Sequence, residues 1–198
     1  AVGALPAGVQ LQSLSDALVR QPEQVEAAFG SADAGESPAA LNAAFAGDGA
    51  FIRIARGVVV ESPVHLVFIA ATSGAASHPR NLIVADAGAQ ATIVEHWFGT
   101  AASATLSNAV TRIDAGADSK ISHLKVQQEL GHAIHLAAID AVQARGSVLD
   151  SHSLSFGARL ARNDIGTRFD GEGCEVMLNG LYHADGKRHV DHHTQIDH

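Results

Sequence analysis

The feature that most constrains this fold is a glycine-containing turn that recurs about every thirty residues. The turn glycines are Gly57, Gly88, Gly116, Gly146 and Gly173, spaced 31, 28, 30 and 27 residues apart. Each separates two short apolar segments, as in LIVADAGAQATIVEH (82–96). Repeats of about 20–50 residues are typical of solenoids, propellers and other arrays. Strand–turn–strand units of this length predict a β-solenoid, in which each coil adds one strand to each parallel sheet.

The composition favours a solenoid over other repeat architectures. Hydrophobic residues make up 46% of the chain and are mostly Ala, Val, Leu and Ile, whereas aromatic residues make up only 5%. Small and β-branched side chains suit thin stacked layers, while propeller blades are longer and usually richer in aromatic residues. The alternative is an all-β protein of another kind that carries these turns at this spacing by chance.

Residues 1–50 predict a helical segment that precedes the coils. Ser13 or Ser15 can cap a first helix, and Pro22 begins a second one that ends at Gly30. Ser37–Pro38 begins a third helix. The sequence SADAGE (31–36), between the second and third helices, predicts a linker of small residues.

From residue 51 onward the pattern predicts strands and no further helix. The segment ELGHAIHLAAIDAV (129–142) has a composition that a helix could also use. Ile134, Leu136 and Ala138 alternate along it, which indicates a strand. The predicted architecture is therefore mainly β, with a helical segment over 1–50 and a right-handed parallel β-helix, or β-solenoid, over 51–198.

Charge and cysteine content exclude several functions. The formal net charge is -8 and no basic run occurs, which argues against nucleic acid as a partner. Cys174 is the one cysteine, so an intrachain disulfide and a four-cysteine cluster site are both excluded, and we expect a reducing, cytoplasmic compartment. No apolar stretch reaches the length of a membrane span, so no membrane association is expected.

No catalytic constellation stands out. Asp150, Ser151 and His152 are adjacent in sequence, whereas catalytic triads assemble through space. The chain has no GxSxG nucleophile turn and no GxxxxGK[ST] phosphate-binding loop. We therefore expect that the protein is not an enzyme. A polysaccharide-active β-helix enzyme is an alternative that the sparse aromatic residues and the missing export signal disfavour.

Histidine is enriched, with 12 residues of which half lie between 152 and 198. In a strand, HVDHHTQIDH (189–198) would place His189, Asp191 and His193 on one face and His192 on the other. Imidazole and carboxylate groups suit iron, zinc or manganese. One hypothesis is thus a metal site formed from these four residues, in a protein that binds metal on its own. The other is a polar ladder or a subunit contact.

The remaining polar candidates have less distinctive surroundings. Five other histidines share no spacing and are expected to be solvent-exposed: His123, His132, His135, His152 and His183. Cys174 follows a turn glycine and could accept a cluster or persulfide. A free cysteine is more often a small buried hydrophobic residue, and that interpretation is preferred.

Three segments resemble the SufB/SufD family of iron–sulfur cluster assembly scaffolds. They are ALNAAFAGDGAFIRIARGVVVESPVHLVF (40–68), PRNLIVADAGAQATIVEHWFG (79–99) and LNGLYHADGKRHVDHHTQIDH (178–198). The last is the most distinctive, particularly Leu178–Gly180 and Val190–Thr194. Within the family, LSDALVRQPEQVEAAFG (14–30) and GVVVESPVHLVF (57–68) look more like the SufD members.

The resemblance implies a non-catalytic scaffold in which SufB and SufD cores pair and each holds a SufC ATPase through a C-terminal helical region. Iron or a cluster would be handled transiently by the complex, with no cofactor firmly bound by this chain. Family members are about twice this length, so we expect a fragment that lacks the later coils and the SufC-binding helices. An unpaired end coil predicts a homodimer or larger assembly.

Overall fold

A computed structural model describes residues 3, 5–29 and 37–198, and within them the chain forms three helices and thirteen strands. The helices are α1 (Leu14–Arg20), α2 (Pro22–Phe29) and α3 (Pro38–Phe45). The strands are β1 (Val9–Ser13), β2 (Ala50–Ile54), β3 (Val64–Ala70), β4 (Ala76–Ser77), β5 (Arg80–Ala85), β6 (Gln90–Gly99), β7 (Leu106–Ala115), β8 (Lys120–Gln128), β9 (Ile134–Ala144), β10 (Val148–Ser155), β11 (Leu160–Asp170), β12 (Glu175–Tyr182) and β13 (His189–Asp197). Gly30 and the predicted linker over 31–36 lie outside the described residues.

The strands form two sheets that wind into a parallel β-solenoid of about five coils. Sheet A has the order β1-β2-β5-β7-β9-β11-β13, with β4 beside β7, and sheet B has the order β12-β10-β8-β6-β3. From β5 onward, consecutive strands alternate between the sheets, and each pairs in parallel with the equivalent strand of the next coil. The predicted fold class is confirmed, and the segment over 129–142 contributes strand β9 as predicted.

The corners that lead from sheet A to sheet B stack in a column. Gly57, Gly88, Gly146 and Gly173 occupy it with φ between 69 and 72°. The fifth member is Asp118, at φ 59°, and the predicted Gly116 lies two residues before it. Backbone hydrogen bonds link the corners, for example from Gly88 N to the Ala117 carbonyl at 2.8 Å. Asp and Asn adopt the left-handed region more readily than other residues except glycine. This explains why Asp118 can occupy a corner position.

Gly116 is required for a different reason, namely close packing between coils. A Cβ atom at this position would lie 2.6 Å from the carbonyl oxygen of Ala85 and 2.9 Å from the backbone nitrogen of Ala87. Both are backbone atoms of the preceding coil, so they cannot rotate away. The sequence pattern therefore identified a required glycine, which lies two residues before the corner position itself.

In the apolar part of the interior, side chains of successive coils stack in rows along each sheet. Ile52 pairs with Ile83, and Ile83 pairs with Ile113, so the three side chains form one row along sheet A. Ile121 and Leu149 form a facing row on sheet B. All five are at most 1% exposed. Burial of side chains of this size contributes roughly 1.5–3 kcal/mol each, which makes these rows the main source of stability.

The N-terminal helices pack on the outer face of sheet A. Leu14 of α1 and Val25 of α2 cover Phe51 and Leu82, which are both fully buried. Ser13 caps α1 by accepting a hydrogen bond from Asp16 N at 3.1 Å. Strand β1, which the sequence did not predict, precedes α1 and pairs antiparallel with β2. No helix in the described ranges has the length and apolarity needed to span a membrane.

We expect Gly116→Ala to lower the free energy of unfolding by about 1–3 kcal/mol, because the added methyl group forces two coils apart. Gly47→Ala is the matched control, since a Cβ there meets no atom within 4 Å. The control should stay within about 1 kcal/mol of the parent. Urea titration followed by circular dichroism measures both, and equal stability of the two variants would contradict the assigned close approach.

Candidate functional site in the solenoid interior

The interior changes from apolar to polar along each strand of sheet B. On β8 the inward residues are Ile121, His123, Lys125 and Gln127, and each is at most 3% exposed. Ile121 joins the apolar rows, while the three residues after it join a charged network. Two buried carboxylates, Glu95 and Glu129, and the buried imidazole of His135 complete the ionisable part of this network.

Glu95 lies at the centre of hydrogen bonds that connect the two sheets. Its Oε1 accepts from the Thr111 hydroxyl at 2.5 Å and lies 3.2 Å from Nε2 of His123. Its Oε2 accepts from the indole nitrogen of Trp97 at 3.0 Å. Asn81 adds a longer contact at 3.4 Å. Because Thr111 and Asn81 belong to sheet A, this carboxylate ties the sheets together through the interior.

Glu129 forms a second centre just after β8. Its Oε1 accepts from the Ser107 hydroxyl at 2.5 Å, and its Oε2 accepts from the Gln127 amide at 3.0 Å. Nδ1 of His135 lies 2.7 Å from Oε2, at an angle outside that of a hydrogen bond. Both carboxylate oxygens therefore accept a hydrogen bond from the protein, one from β7 and one from the end of β8.

Lys125 supplies the positive charge of the network. Its Nζ donates to Oδ1 of Asn163 at 3.1 Å, and Asn163 donates in turn to the Ser153 hydroxyl at 2.8 Å. The register places Lys125 directly beside Glu95 of the preceding coil, with Ser153 on its other side. Opposite charges thus occupy adjacent positions of one row.

The pKa shifts show which charges persist at neutral pH. Burial alone would raise the pKa of Glu95, but the His123 and Thr111 hydrogen bonds and the Lys125 charge lower it to about 2. Burial lowers the pKa of Lys125 to about 8, although Glu95 and Glu129 oppose the shift. Burial and the Lys125 charge lower the pKa of His135, so this imidazole is neutral at pH 7.

The arrangement of these buried side chains favours a structural role for the network. Each carboxylate oxygen accepts at least one hydrogen bond from the protein, which fixes both groups in place. The network does border a cavity of about 850 Å³ whose lining includes Phe68, Trp97, Ser107 and Glu129. Among the described residues, no group of three His, Cys, Asp or Glu side chains is arranged to hold a metal ion.

The proposed metal ligands of β13 lie on two faces of the last described coil. Asp191 and His193 face outward, where Nε2 of His193 lies 2.9 Å from Oδ1 of Asp191. Asp191 also accepts from Arg162 at 3.0 Å. His192 faces the interior and contacts the Ser155 hydroxyl at 3.0 Å, and His189 is exposed at the strand start. The four side chains therefore do not converge on one point, and metal binding by them stays a prediction.

Two of the remaining histidines and Cys174 lie in different surroundings. His123 and His135 were expected to be solvent-exposed, but they are 0% and 1% exposed because they face the interior of the solenoid. Cys174 is half-buried at a corner, with its Sγ 3.2–3.4 Å from the carbonyl oxygens of Gly171, Ala144 and Gln143. Such surroundings suit a thiol that donates weakly to the backbone.

Glu95 should make the fold sensitive to acid. Its pKa is about 2 in the folded chain against 4.5 ordinarily, so its contribution is complete above pH 4.5 and is lost as the pH falls toward 2. The lost free energy of unfolding is about 3 kcal/mol. In urea titrations at pH 5, 4, 3 and 2, Glu95→Gln should remove this part of the pH dependence. Asp185→Asn, at an exposed carboxylate, should retain it.

Removal of the buried ammonium should destabilise the chain strongly. Lys125→Met leaves two buried carboxylates without their positive neighbour, which costs on the order of 3–5 kcal/mol. Lys120→Met, at an exposed position of the same strand, should change the free energy of unfolding by less than about 0.5 kcal/mol. Thermal and urea unfolding at pH 7 compare the two, and a tolerated Lys125→Met would contradict the charge balance described above.

Comparison with known proteins gives matches along the whole chain. Residues 1–66 match the SufBD protein N-terminal region, and residues 68–198 match the SufBD core domain of SUF system FeS cluster assembly. An iron–sulfur cluster assembly SufBD family protein of Synechocystis is 26% identical over 203 aligned residues, which cover 97% of this chain and 45% of that protein.

Two further relatives agree. The iron–sulfur cluster assembly protein SufD of Escherichia coli is 26% identical over 153 residues, which cover 74% of this chain and 36% of that protein. A SufBD family protein of Mycobacterium leprae is 32% identical over 65 residues, 33% of this chain and 17% of that protein. The chain thus spans less than half the length of these relatives. Since the core-domain match alone covers well over half of it, the chain belongs to the SufB/SufD family of iron–sulfur cluster assembly proteins.

Proposed function

We propose that this chain is the N-terminal segment and solenoid core of a SufD-like scaffold subunit, and that it is not an enzyme. Family membership supports a role in iron–sulfur cluster assembly. The SufD assignment is favoured by the Escherichia coli SufD match over 74% of this chain. The observation that carries the proposal is the unbroken match of both family regions along one chain.

The interior supports a structural role for the solenoid. Glu95 and Glu129, the two carboxylates of the network, are held by hydroxyl, amide and indole donors. A buried carboxylate that accepts hydrogen bonds on both oxygens is held in place and stabilises its surroundings. A rigid core of this kind presents fixed outer faces, which is the property that a scaffold needs.

In this proposal the partners are a SufB-like subunit and a SufC-like ATPase in the cytoplasm. Iron or an iron–sulfur cluster is the cargo that the assembled complex builds, and it is no resident cofactor of this chain. The four β13 residues stay candidates for a transient iron contact. The proposed role is to hold the other subunits in a fixed relative position while they carry out ATP hydrolysis and cluster assembly.

A purification experiment tests the partners. The complete gene product is expressed with an affinity tag together with the SufB-like and SufC-like proteins of the same organism. We expect stable co-purification of both partners in fixed ratio, measured by native mass spectrometry. Failure to bind either partner would contradict the scaffold assignment.

An activity measurement tests the non-catalytic part of the proposal separately. The purified chain alone should hydrolyse no ATP above the background of a mock purification. ATP hydrolysis by the SufC-like protein should be measured alone, with the gene product, and with its Gly47→Ala variant. This variant is the control, because the substitution leaves packing intact. A turnover activity of the isolated chain would contradict the assignment even if the partners bind.

A further inference from the structure

The two sheets end differently at the start of the solenoid. In sheet A, the antiparallel strand β1 pairs with the outer edge of β2, the strand of the first coil. In sheet B, β3 is the terminal strand, and in the described part of the chain it pairs only with β6. Within that part, one edge of β3 is therefore unpaired at the level where β1 completes the other sheet.

The unpaired edge presents a regular row of backbone groups. Thr100 N donates to the carbonyl oxygen of Ala70 at 3.0 Å, so the backbone groups of Ala70 point toward β6. Along a strand, the N–H and C=O groups of successive residues point alternately to the two sides. Those of His65, Val67 and Ile69 therefore point to the unpaired edge. Such a row is a template for one further strand.

A groove runs along this edge of β3. It is the cavity of about 850 Å³ described above, and residues 65–70 of β3 form one of its walls. Residues 11–13 of β1 and Phe45 of α3 form the opposite side. Its volume lies in the range of about 300–1,000 Å³ that binding sites usually have. A segment of seven residues, the length of β3, would span the edge in an extended conformation.

The lining of the groove indicates the side chains that such a segment needs. Leu11, Leu66 and Phe68 belong to or pack against the apolar core, so inward side chains of an added strand would extend that core. The charged lining residues are Asp48 and Glu129, and both are carboxylates. Glu129 is buried and held by protein donors, whereas Asp48 is exposed at the rim. This distribution favours a basic residue near Asp48 and apolar residues deeper in the groove.

Strand β3 also lacks the features that usually protect a sheet edge. Edge strands commonly carry charged residues or proline, which prevent pairing with other chains. The sequence VHLVFIA (64–70) contains neither. Val67 and Ile69 leave 56% and 60% of their surfaces exposed. An unprotected edge of seven residues beside a groove is expected where pairing with another chain is the function of the edge.

We propose that this groove binds an extended segment of another protein, which adds a strand to the unpaired edge of β3. The segment carries apolar side chains at alternate positions and a Lys or Arg residue near Asp48. Backbone hydrogen bonds to β3 supply affinity, and the alternate side chains supply selectivity. The row of backbone groups singles out an extended chain, because a compact ligand could not pair with it along its length.

A synthetic peptide gives the first test. The probe is acetyl-Lys-Val-Thr-Val-Thr-Val-Thr-amide, titrated into the 198-residue chain by isothermal calorimetry. We expect saturable one-to-one binding with a dissociation constant on the order of 100 μM. Replacement of the peptide's Lys by Glu should weaken binding at least threefold, because the groove is lined by carboxylates.

Methylation of peptide nitrogens separates strand addition from binding by side chains alone. Alternate N–H groups of an added strand face β3, and the others face solvent. One probe is N-methylated at its three Val residues and a second at its three Thr residues. One of the two should lose at least tenfold in affinity, while the other stays within about threefold of the parent peptide. Equal affinities of the two methylated peptides would overturn the proposal.

A substitution in β3 tests the same hydrogen bonds from the protein side. Val67→Pro removes an N–H that points to the unpaired edge, and proline is tolerated at such edge positions. We expect at least a tenfold loss of peptide affinity. Val67→Thr is the matched control, since it keeps the N–H and the β-branched shape, and it should bind within about threefold of the parent. Circular dichroism checks that both variants are folded, and the methylated peptides decide the matter if Val67→Pro is not.

Three results would overturn the proposal outright. One is the absence of saturable binding up to about 1 mM peptide. Another is equal affinity of the parent and a folded Val67→Pro variant. The third is a dimer of the parent chain, detected by sedimentation, that Val67→Pro abolishes, because the occupant of the edge would then be a second copy. Co-purification with SufB-like and SufC-like proteins is a separate measurement, so the proposed function stands or falls independently of these results.

Discussion

In-register stacking of parallel coils is the constraint on which the rest of this structure depends. Each strand pairs with the equivalent strand of the next coil, so every inward residue meets inward residues at the same level of its neighbours. This rule produces the apolar row of Ile52, Ile83 and Ile113. It also brings Glu95 beside Lys125, which makes a buried carboxylate tolerable in a position that would otherwise require an apolar side chain.

The charged network fixes the pairing register of β8 more strongly than the burial of its apolar side chains does. This strand carries apolar residues on both faces, with Ile121 inside and Leu124 and Val126 outside. A slip of β8 by one residue would exchange its faces at a modest hydrophobic cost. The same slip would withdraw Lys125 from Glu95 and leave a buried negative charge uncompensated, which costs several kcal/mol. The attraction between these two neighbouring buried charges therefore opposes a misalignment that the apolar pattern tolerates.

The same two-faced pattern explains what the sequence could and could not predict. Glycine corners identified the coils, because positive φ and close backbone approach leave few other choices. The sequence did not predict Asp118 as a corner residue, because an aspartate in the left-handed conformation has no composition signal of its own. His123 and His135 were misplaced outside because alternation reveals two faces without saying which is inward. Lys125 and Glu129 were missed for that reason as well, although the alternating His, Lys, Gln and Glu of residues 123–129 carried the signal.

The two outer faces suit contacts of opposite kinds. Arg112 and Arg162 and their carboxylate neighbours make the outer face of sheet A charged, and at 0.1 M ionic strength salt screens exposed charges that lie more than about 10 Å apart. The outer face of sheet B around Val126 is instead mainly apolar, with Val67, Leu154 and Leu181 in the same row. The solenoid thus carries chemically distinct surfaces on opposite sides of one core.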